Sequence, residues 1–149
     1  MHRLDRSMTY MYLEGSQSPE SIIQAALKAL VRDGILQETE AIEAVIWERE
    51  QRYSTYVGQR LAMPHGSHAQ IPFPHIVGIQ LAEPCHWFAA EAEVTLVILF
   101  LIPQEIEGHE AQLEWLKSFA GALGDEAFLE GLQGAKGEDE WKRRVASLS

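Results

Sequence analysis

The feature that most constrains the fold is an apolar segment, Val94–Ile102, in which only Thr95 is polar. A helix needs about 20 residues to cross a bilayer, so this run is too short to span a membrane. Pro103 follows at once and cannot continue a hydrogen-bonded ladder. The segment therefore predicts a buried strand at the centre of a sheet.

Helical periodicity occurs on both sides of this strand along the chain. One helix is predicted from the cap-and-proline pair Ser18-Pro19 to Asp33-Gly34, and a second from Thr39 to about Arg52. Three more helices are predicted after the strand: one through Leu113–Leu123, one capped by Asp125, and one after Gly137 that turns Trp141, Val145 and Leu148 inward.

Shorter apolar runs predict additional strands. These are an edge strand at Tyr10–Leu13, a short strand at Leu61–Met63 and a longer one at Ile76–Leu81, whereas Glu83–Glu93 is predicted to be irregular. Helices, then strands, then helices imply a layered mixed α/β (α+β) protein. We therefore predict a three-layer α/β/α architecture with a central mixed sheet flanked by helices, as a single domain over residues 1–149 with its core at about 10–148.

Charge and cysteine content exclude several classes of function. The formal net charge of −10 repels phosphate backbones, which argues against nucleic-acid binding. The single cysteine, Cys85, cannot form an intrachain disulfide, and Met1–Tyr12 has no apolar segment of the kind found in signal peptides. We therefore predict a cytoplasmic protein without membrane insertion.

The sharpest local signal is Pro64-His65-Gly66, which follows an apolar run. Proline is stiff and glycine has no side chain, so the histidine between them is predicted to lie at a strand end that gives way to a loop, open to a visiting protein. A neutral imidazole there can act as a nucleophile. Taken alone, however, such a triplet is more often an ordinary loop histidine.

A longer stretch favours the functional interpretation. Arg49, near the end of a predicted helix, is followed by STYVGQR at residues 54–60 and LAMPHG at residues 61–66. This order resembles the type-2 enzyme IIA family, the fructose/mannitol class of the bacterial phosphoenolpyruvate:sugar phosphotransferase system, and most resembles its mannitol-specific branch. The resemblance extends from about Tyr10 to the last helix; the stretch from the arginine to Pro-His-Gly is fairly specific, and the flanking helices are generic.

The resemblance implies a set of site residues. His65 is the implied phosphorylated residue, through Nε2, and Arg49 and a second histidine, His109, are implied to stabilise the transferred group. A phosphoryl group spreads charge over three equatorial oxygens, so the planar N–H fork of Arg49 suits it. His109 is predicted near a helix N-terminus, which favours anions. The hydroxyls of Ser54 and Thr55 are further candidate donors.

Simpler interpretations of these residues stay open. An isolated Arg49 more often pairs with a surface glutamate such as Glu48 or Glu50. His109 also fits a plain helix-start residue, and the two hydroxyl residues also fit the end of the preceding helix.

Two of the departures from the family pattern, Arg60 and Glu110, introduce charged residues. Many relatives carry STGIGNG at residues 54–60, so Arg60 adds a cation near the site, while Tyr56 fits the mannitol-like branch better than the nitrogen-regulatory one. Glu110 follows the second histidine where relatives usually have Leu or Ile. A carboxylate is unfavourable beside a phosphoryl group unless it points to solvent. The effect of both residues on partner choice stays open.

Metal and nucleotide chemistry lack their usual motifs. His65 and His68 have a spacing that metal ligands can use, but there is no His-Glu-x-x-His motif and no cysteine pair. The chain also has neither a P-loop nor a Gly-x-Gly-x-x-Gly motif. We predict no metal and no cofactor, so that the phosphate comes from another protein or a small phospho-donor.

The resemblance implies a phosphotransferase component with two protein partners. The phospho-histidine carrier protein HPr would donate the phosphoryl group, and an enzyme IIB component would receive it during uptake of a sugar of the mannitol/fructose class. Two alternatives stay open: a regulatory phospho-sensor of the same fold, and a silent binding module in which His65 never accepts phosphate. Neither the sugar nor the oligomeric state follows from the sequence.

Overall fold

The structure is a computed structural model that describes residues 7–88 and 92–148. These residues form six strands and five helices. The strands are β1 (Met8–Leu13), β2 (Tyr56–Gly58), β3 (Leu61–Ala62), β4 (His65–His68), β5 (His75–His86) and β6 (Glu93–Pro103). The helices are α1 (Pro19–Arg32), α2 (Glu40–Arg52), α3 (Glu110–Ala122), α4 (Glu126–Gln133) and α5 (Glu138–Ala146).

All six strands belong to one mixed sheet, ordered β1-β5-β6-β3-β2, with β4 also paired to β6. β6 is antiparallel to β5 on one side and parallel to both β3 and β4 on the other. The predicted central strand is confirmed. The predicted edge strand is confirmed as well, since β1 pairs only with β5 among the described strands.

Apolar cores cover both faces of the sheet. On one face α1 and α2 pack on β6, where Ile46 and Val97 belong to the same buried cluster. On the other face α3, α4 and α5 pack on the same strand, where Phe119 and Trp141 cluster with Ile98. Successive β6 side chains point to opposite faces, so a strand buried on both sides reads as a continuous apolar run. The predicted three-layer α/β/α architecture is confirmed.

Local sequence signals set several helix starts as predicted. The Ser18 side chain accepts a hydrogen bond from Ser21 N at 3.0 Å at the start of α1. Asp125 does the same for Phe128 N at 3.0 Å at the start of α4. Gly137 precedes α5 with φ 101°, a conformation that favours glycine.

The last helix confirms two of its three predicted inward contacts. Trp141 and Val145 are fully buried, whereas Leu148 is 37% exposed. The prediction for Leu148 is wrong because α5 ends at Ala146, so the helical period that would turn Leu148 inward no longer applies.

The segment predicted to be irregular at Glu83–Glu93 consists partly of strand. β5 continues to His86, and its register against β6 shifts between Gln80 and Cys85. Pro84 lies inside that irregularity, where the ladder does not need its missing N–H. Residues 89–91 of the predicted segment lie outside the described residues.

A short hairpin before His65 has no conventional sequence signal. β2 and β3 are antiparallel and are joined by Gln59 and Arg60, whose φ angles are 52° and 64°. Two-residue hairpin turns need such positive φ values and usually obtain them from Asn-Gly. A Gln-Arg pair in this role could not be recognised from its residue types.

No helix in the described part of the chain is both long and apolar enough to span a membrane.

Candidate active site

His65 lies at the edge of the sheet, where pairing with β6 passes from β3 to β4. It was predicted to lie at the end of a strand that gives way to a loop, but it opens a further strand, β4, and is the register partner of Phe100. The expected loop is replaced by β4 because β6 extends beyond β3, so that residues 65–68 can pair with the remaining edge. Phe100 N donates to Pro64 O at 2.9 Å, which fixes the chain immediately before His65.

The hydrogen bonds of the His65 ring assign its tautomer. Nδ1 lies 3.2 Å from Met63 O, and a carbonyl oxygen can only accept, so Nδ1 carries the proton. Nε2 therefore holds the lone pair, and it accepts a hydrogen bond from Arg49 Nε at 3.0 Å. The half-buried ring is thus a neutral imidazole whose nucleophilic nitrogen faces a guanidinium.

Arg49 reaches this ring from the last turn of α2. Its Nη1 donates to Tyr53 O at 3.0 Å, and its Cζ lies 5.5 Å from the centre of the Tyr53 ring. The other edge of the guanidinium is formed by Nε–H, which donates to His65 Nε2, and the neighbouring Nη2 group. That edge has the fork geometry that suits two oxygens of a phosphoryl group.

The surface ion pair considered for Arg49 does not form. Glu48 accepts instead from Arg52 at 2.5 Å, one turn along the helix. Glu50 is buried and its carboxylate has other donors. The arginine is therefore available to the histidine.

A largely apolar cleft of about 380 Å³ opens beside His65. Residues of α2 and the following loop form one wall, and α3 forms the opposite wall. Four of the five predicted site residues line it, and Lys117 of α3 adds a second cation. The lining residues are Arg49, Ser54, Thr55, Val57, Met63, His65, Phe100, Ile102, Leu113, Leu116, Lys117 and Ala120.

The two predicted hydroxyl donors differ in what they can offer a ligand. Thr55 Oγ1 donates to Glu50 Oε1 at 2.6 Å in a buried contact, so its proton is already engaged. Ser54 Oγ accepts from Tyr56 N at 3.2 Å and keeps its own proton for another acceptor. Of the two, Ser54 is equipped to donate, and Thr55 holds the loop in place.

His109 occupies the N-cap position of α3 and does not line the cleft. Its Nδ1 lies 3.2 Å from Gln112 Oε1, and its side chain makes no capping bond. Leu113, one turn further along the same helix face, does line the cleft. The structure thus brings Arg49 and His65 together. His109 lies about one helical turn from the cleft wall, and its described hydrogen bond is to Gln112 and not to Arg49 or His65.

Glu110 does not place its carboxylate in the cleft. The side chain is exposed, and its Oε1 accepts from Gly108 N at 3.0 Å. The repulsion expected between this residue and a phosphoryl group is therefore relieved, as it is for a carboxylate that points to solvent. Arg60, the other departure from the family pattern, likewise does not line the cleft.

Gly66 serves packing and not access. A Cβ atom at this residue would lie 2.9 Å from Ile46 Cγ1 and 3.2 Å from Val45 Cγ2. The missing side chain therefore lets α2 approach β4 closely. His65 is accessible through the cleft that it lines and not through space left by the glycine.

Three residues of the site escaped the sequence analysis. Lys117 follows Leu113 by four positions on the same face of α3, a spacing that could have identified it. Tyr53 contributes its backbone carbonyl, which no residue pattern reveals. Glu50 lies in a helix-end run of charged residues, typical of a solvated surface, yet it is 8% exposed.

The metal alternative gains no geometric support. Both ring nitrogens of His65 are hydrogen-bonded within the protein, and His68 Nδ1 accepts from Gln70 N at 3.0 Å. Within residues 7–88 and 92–148, no three His, Cys, Asp or Glu side chains are grouped so that they could hold a metal ion.

The sequence is similar to that of a known protein family. The profile of the family described as "Phosphoenolpyruvate-dependent sugar phosphotransferase system, EIIA 2" matches residues 8–147. The PTS system 2-O-alpha-mannosyl-D-glycerate-specific EIIABC component of Escherichia coli (strain K12) is 29% identical over 125 residues. That match covers 83% of this chain and 19% of the relative, so the chain spans about a fifth of the relative's length.

Two solved structures share the fold. The nitrogen regulatory protein IIA-Ntr from Neisseria meningitidis has a TM-score of 0.72 at 26% identity, covering 93% of this chain and 92% of that one. Enzyme IIA mannitol of Escherichia coli, in its complex with phosphorylated enzyme IIB mannitol, has a TM-score of 0.69 at 23% identity, covering 92% and 94%. Because the profile spans nearly all of the described residues, the predicted membership is confirmed: the chain belongs to the type-2 enzyme IIA family of the phosphoenolpyruvate-dependent sugar phosphotransferase system.

Proposed function

We propose that this chain is a phosphocarrier that accepts a phosphoryl group from HPr on His65 Nε2 and passes it to an enzyme IIB component for sugar uptake. The observation that carries the proposal is the lone pair of Nε2, which lies 3.0 Å from Arg49 Nε beside an apolar cleft. A nucleophile and the cation that can stabilise the incoming group thus meet at one point.

The transfer step needs no proton shuttle on this chain. The Nε2 electron pair forms the new N–P bond while the N–P bond of the donor's phosphohistidine breaks, and the departing nitrogen keeps that bond's electron pair. Nδ1 keeps its proton throughout. Because Met63 O accepts from that proton, the carbonyl stabilises the positive charge that develops on the ring.

Arg49 has to move aside before the attack, since its Nε–H occupies the Nε2 lone pair. The Nη1 bond to Tyr53 O can act as a pivot, which keeps the guanidinium close while its Nε–Nη2 edge turns to the phosphoryl oxygens. This exchange replaces a hydrogen bond to a neutral nitrogen by bonds to an anion, which are stronger.

The remaining predicted residues and Lys117 are assigned supporting roles. Ser54 and Lys117 both line the cleft, so the free hydroxyl proton of Ser54 and the ammonium of Lys117 are two further candidate donors to the phosphoryl oxygens. His109 would reach the group by turning its ring away from Gln112. Thr55 contributes by holding the loop, because its hydroxyl proton is engaged by Glu50.

The apolar lining suits docking of a partner protein over the site. Val57 lines the cleft and is 58% exposed, so a partner that covers it removes apolar surface from water. Covering the cleft also excludes water, which would otherwise hydrolyse the phosphorylated ring. The chain's net charge of −10 favours partners with a positive docking surface.

A regulatory phospho-sensor is the second candidate, supported by the similarity to IIA-Ntr at 26% identity over 93% of this chain. The chemistry at His65 would be the same in both cases. The two functions differ in the recipient, which is an enzyme IIB component in transport and a regulated protein in sensing. Adding purified enzyme IIB to the phosphorylated chain separates them, because only a carrier in transport loses its phosphoryl group to enzyme IIB.

The central test is incubation of the protein with phosphoenolpyruvate, enzyme I and HPr, followed by intact mass measurement. The wild type should gain one phosphoryl group, and His65→Ala should gain none. His68→Ala, on the same strand, is the matched control and should be labelled like the wild type. Absence of added mass on the wild type, or full labelling of His65→Ala, would refute the proposal.

A further inference from the structure

The carboxylate of Glu50 is buried and accepts hydrogen bonds from three donors. Its Oε2 accepts from Thr55 N at 2.8 Å and from Trp87 Nε1 at 3.0 Å, and its Oε1 accepts from Thr55 Oγ1 at 2.6 Å. No described Lys or Arg forms an ion pair with it. A desolvated carboxylate needs such donors, and here two of the three belong to one residue, Thr55.

Hydrogen bonds of the Met63 backbone connect Thr55 to His65. The carbonyl oxygen of Thr55 accepts from Met63 N at 2.9 Å. The carbonyl of Met63 in turn lies 3.2 Å from the protonated Nδ1 of His65. A continuous series of hydrogen bonds therefore runs from Glu50 to the ring nitrogen opposite the nucleophile.

We propose that Glu50 is a positioning residue for phosphoryl transfer, which sets the tautomer and orientation of His65 through Thr55 and Met63. The tautomer of a histidine is fixed by the hydrogen bond that its other nitrogen makes. Here that partner is Met63 O, whose position depends on Thr55, and Thr55 is held at its N–H and its hydroxyl by Glu50. The role in transfer rests on the proposed function, whereas the control of the tautomer does not.

The series explains why a side chain of this length with an acceptor oxygen at its end occupies this place. A shorter side chain would leave Thr55 N–H without its acceptor, and the loop that precedes β2 would lose its fixed position. The loop also carries Ser54 and part of the cleft wall. Glu50 acts at a distance, since it does not itself line the cleft next to His65.

Two substitutions of Glu50 separate the effect of side-chain length from the effect of charge. Glu50→Gln keeps the side-chain length: its amide oxygen can accept from Thr55 N and Trp87 Nε1, and its amide nitrogen can donate to Thr55 Oγ1. Glu50→Asp keeps the charge but draws the carboxylate back by about 1.5 Å, the length of one C–C bond. If Glu50 positions Thr55, the Gln variant should resemble the wild type and the Asp variant should not.

Trp87→Phe is the matched control for general disturbance of the cluster. It removes one donor to the same carboxylate but leaves both Thr55 contacts in place. We expect a lower melting temperature because a buried hydrogen bond is lost. The His65 tautomer and the phosphorylation rate should stay as in the wild type.

The first readout is the ¹⁵N NMR spectrum of the His65 ring in the unphosphorylated protein, which shows whether Nδ1 or Nε2 carries the proton. Wild type, Glu50→Gln and Trp87→Phe should show the single tautomer. Glu50→Asp should show averaging of the two nitrogen signals. The second readout is the rate of phosphorylation by phospho-HPr, which should fall roughly 10- to 100-fold in Glu50→Asp alone, the scale of a misplacement of about 1 Å.

Three outcomes would contradict the inference. A wild-type spectrum and rate in Glu50→Asp would show that Thr55 does not depend on the carboxylate. If Glu50→Gln lost the single tautomer and the wild-type rate while Glu50→Asp kept both, the effect would depend on the charge of Glu50 and not on its length. If Trp87→Phe showed the same spectral change as Glu50→Asp, the change would reflect a general loosening of the cluster. Failure of the wild type itself to be phosphorylated would refute the proposed function and leave the NMR comparison as the test of Glu50.

Discussion

Replacement of Arg49 by alanine should slow phosphorylation strongly while leaving the fold intact. The substitution removes the Nε donor that lies 3.0 Å from His65 Nε2 and the Nη1 donor to Tyr53 O. It removes no core contact, since the buried residues of α2 are Ile42, Ile46 and Glu50. Alanine is also a strong helix former, so α2 itself should persist.

The size of the effect follows from the donors that Arg49 can offer. One Nη1 proton is held by Tyr53, which leaves the Nε–Nη2 edge for two phosphoryl oxygens. Each charge-assisted hydrogen bond is worth about 1.5–3 kcal/mol, so two contribute about 3–6 kcal/mol in the transition state. At about 1.4 kcal/mol for each factor of ten, the rate should fall roughly 10²- to 10⁴-fold. The free energy of unfolding should fall by less than about 1 kcal/mol, as for a partly exposed polar contact.

The assay is rapid-quench measurement of phosphoryl transfer from phospho-HPr, with unfolding by urea followed in parallel. Arg52→Ala is the matched control, because Arg52 lies on the same turn but pairs with Glu48 at the surface. It should phosphorylate at the wild-type rate. A less than fivefold effect of Arg49→Ala on the rate would show that the guanidinium does not act on the phosphoryl group, and loss of the folded state would show that Arg49 is structural.

Two further predictions concern stability and thiol chemistry. Gly78→Ala would place a Cβ atom in overlap with the Trp141 ring, and it should lower the free energy of unfolding by about 1–3 kcal/mol in a urea titration. Gly121→Ala lies in open space on α3, and it should leave that free energy unchanged or raise it slightly. Equal stabilities for the two variants would contradict this packing. Burial raises the pKa of the Cys85 thiol, and the Glu20 carboxylate adds to the rise. At a given pH the native protein should hold less thiolate and react more slowly with Ellman's reagent than the urea-unfolded protein, and equal rates would refute that assignment.

The layers of the fold were predictable because their signals are local or periodic. The apolar run Val94–Ile102 identifies the central strand, because a strand covered on both faces needs apolar side chains at every position. Helix starts at Ser18 and Asp125 follow from capping chemistry within three residues. Neither signal depends on where the rest of the chain lies.

The details around the site were less predictable because they depend on long-range pairing. Whether residues 65–68 form a strand is decided by the length of β6 beyond β3, which no feature of Pro64-His65-Gly66 encodes. The function of Gly66 is set by α2, from an earlier part of the sequence. The charged run that contains Glu50 looks solvated until Trp87, far along the chain, covers it.

Site chemistry was predictable in part through the resemblance to relatives. It linked Arg49 to His65 across sixteen positions, and the hydrogen bond between them agrees with that link. It gave no information on the direction of hydroxyl protons, which separates Ser54 from Thr55. It also placed His109 closer to the phosphoacceptor than its described contact with Gln112 indicates.

The cleft takes its two walls from opposite helical layers, with α2 on one side of the sheet edge and α3 on the other. Neither layer alone assembles the pocket, so a partly folded chain with one layer undocked lacks either the guanidinium or the facing wall. Under the proposed function, we therefore expect the chain to accept a phosphoryl group only when both helical layers are docked. During refolding, competence for labelling should emerge with the last layer to dock, later than the bulk of the helical circular dichroism signal.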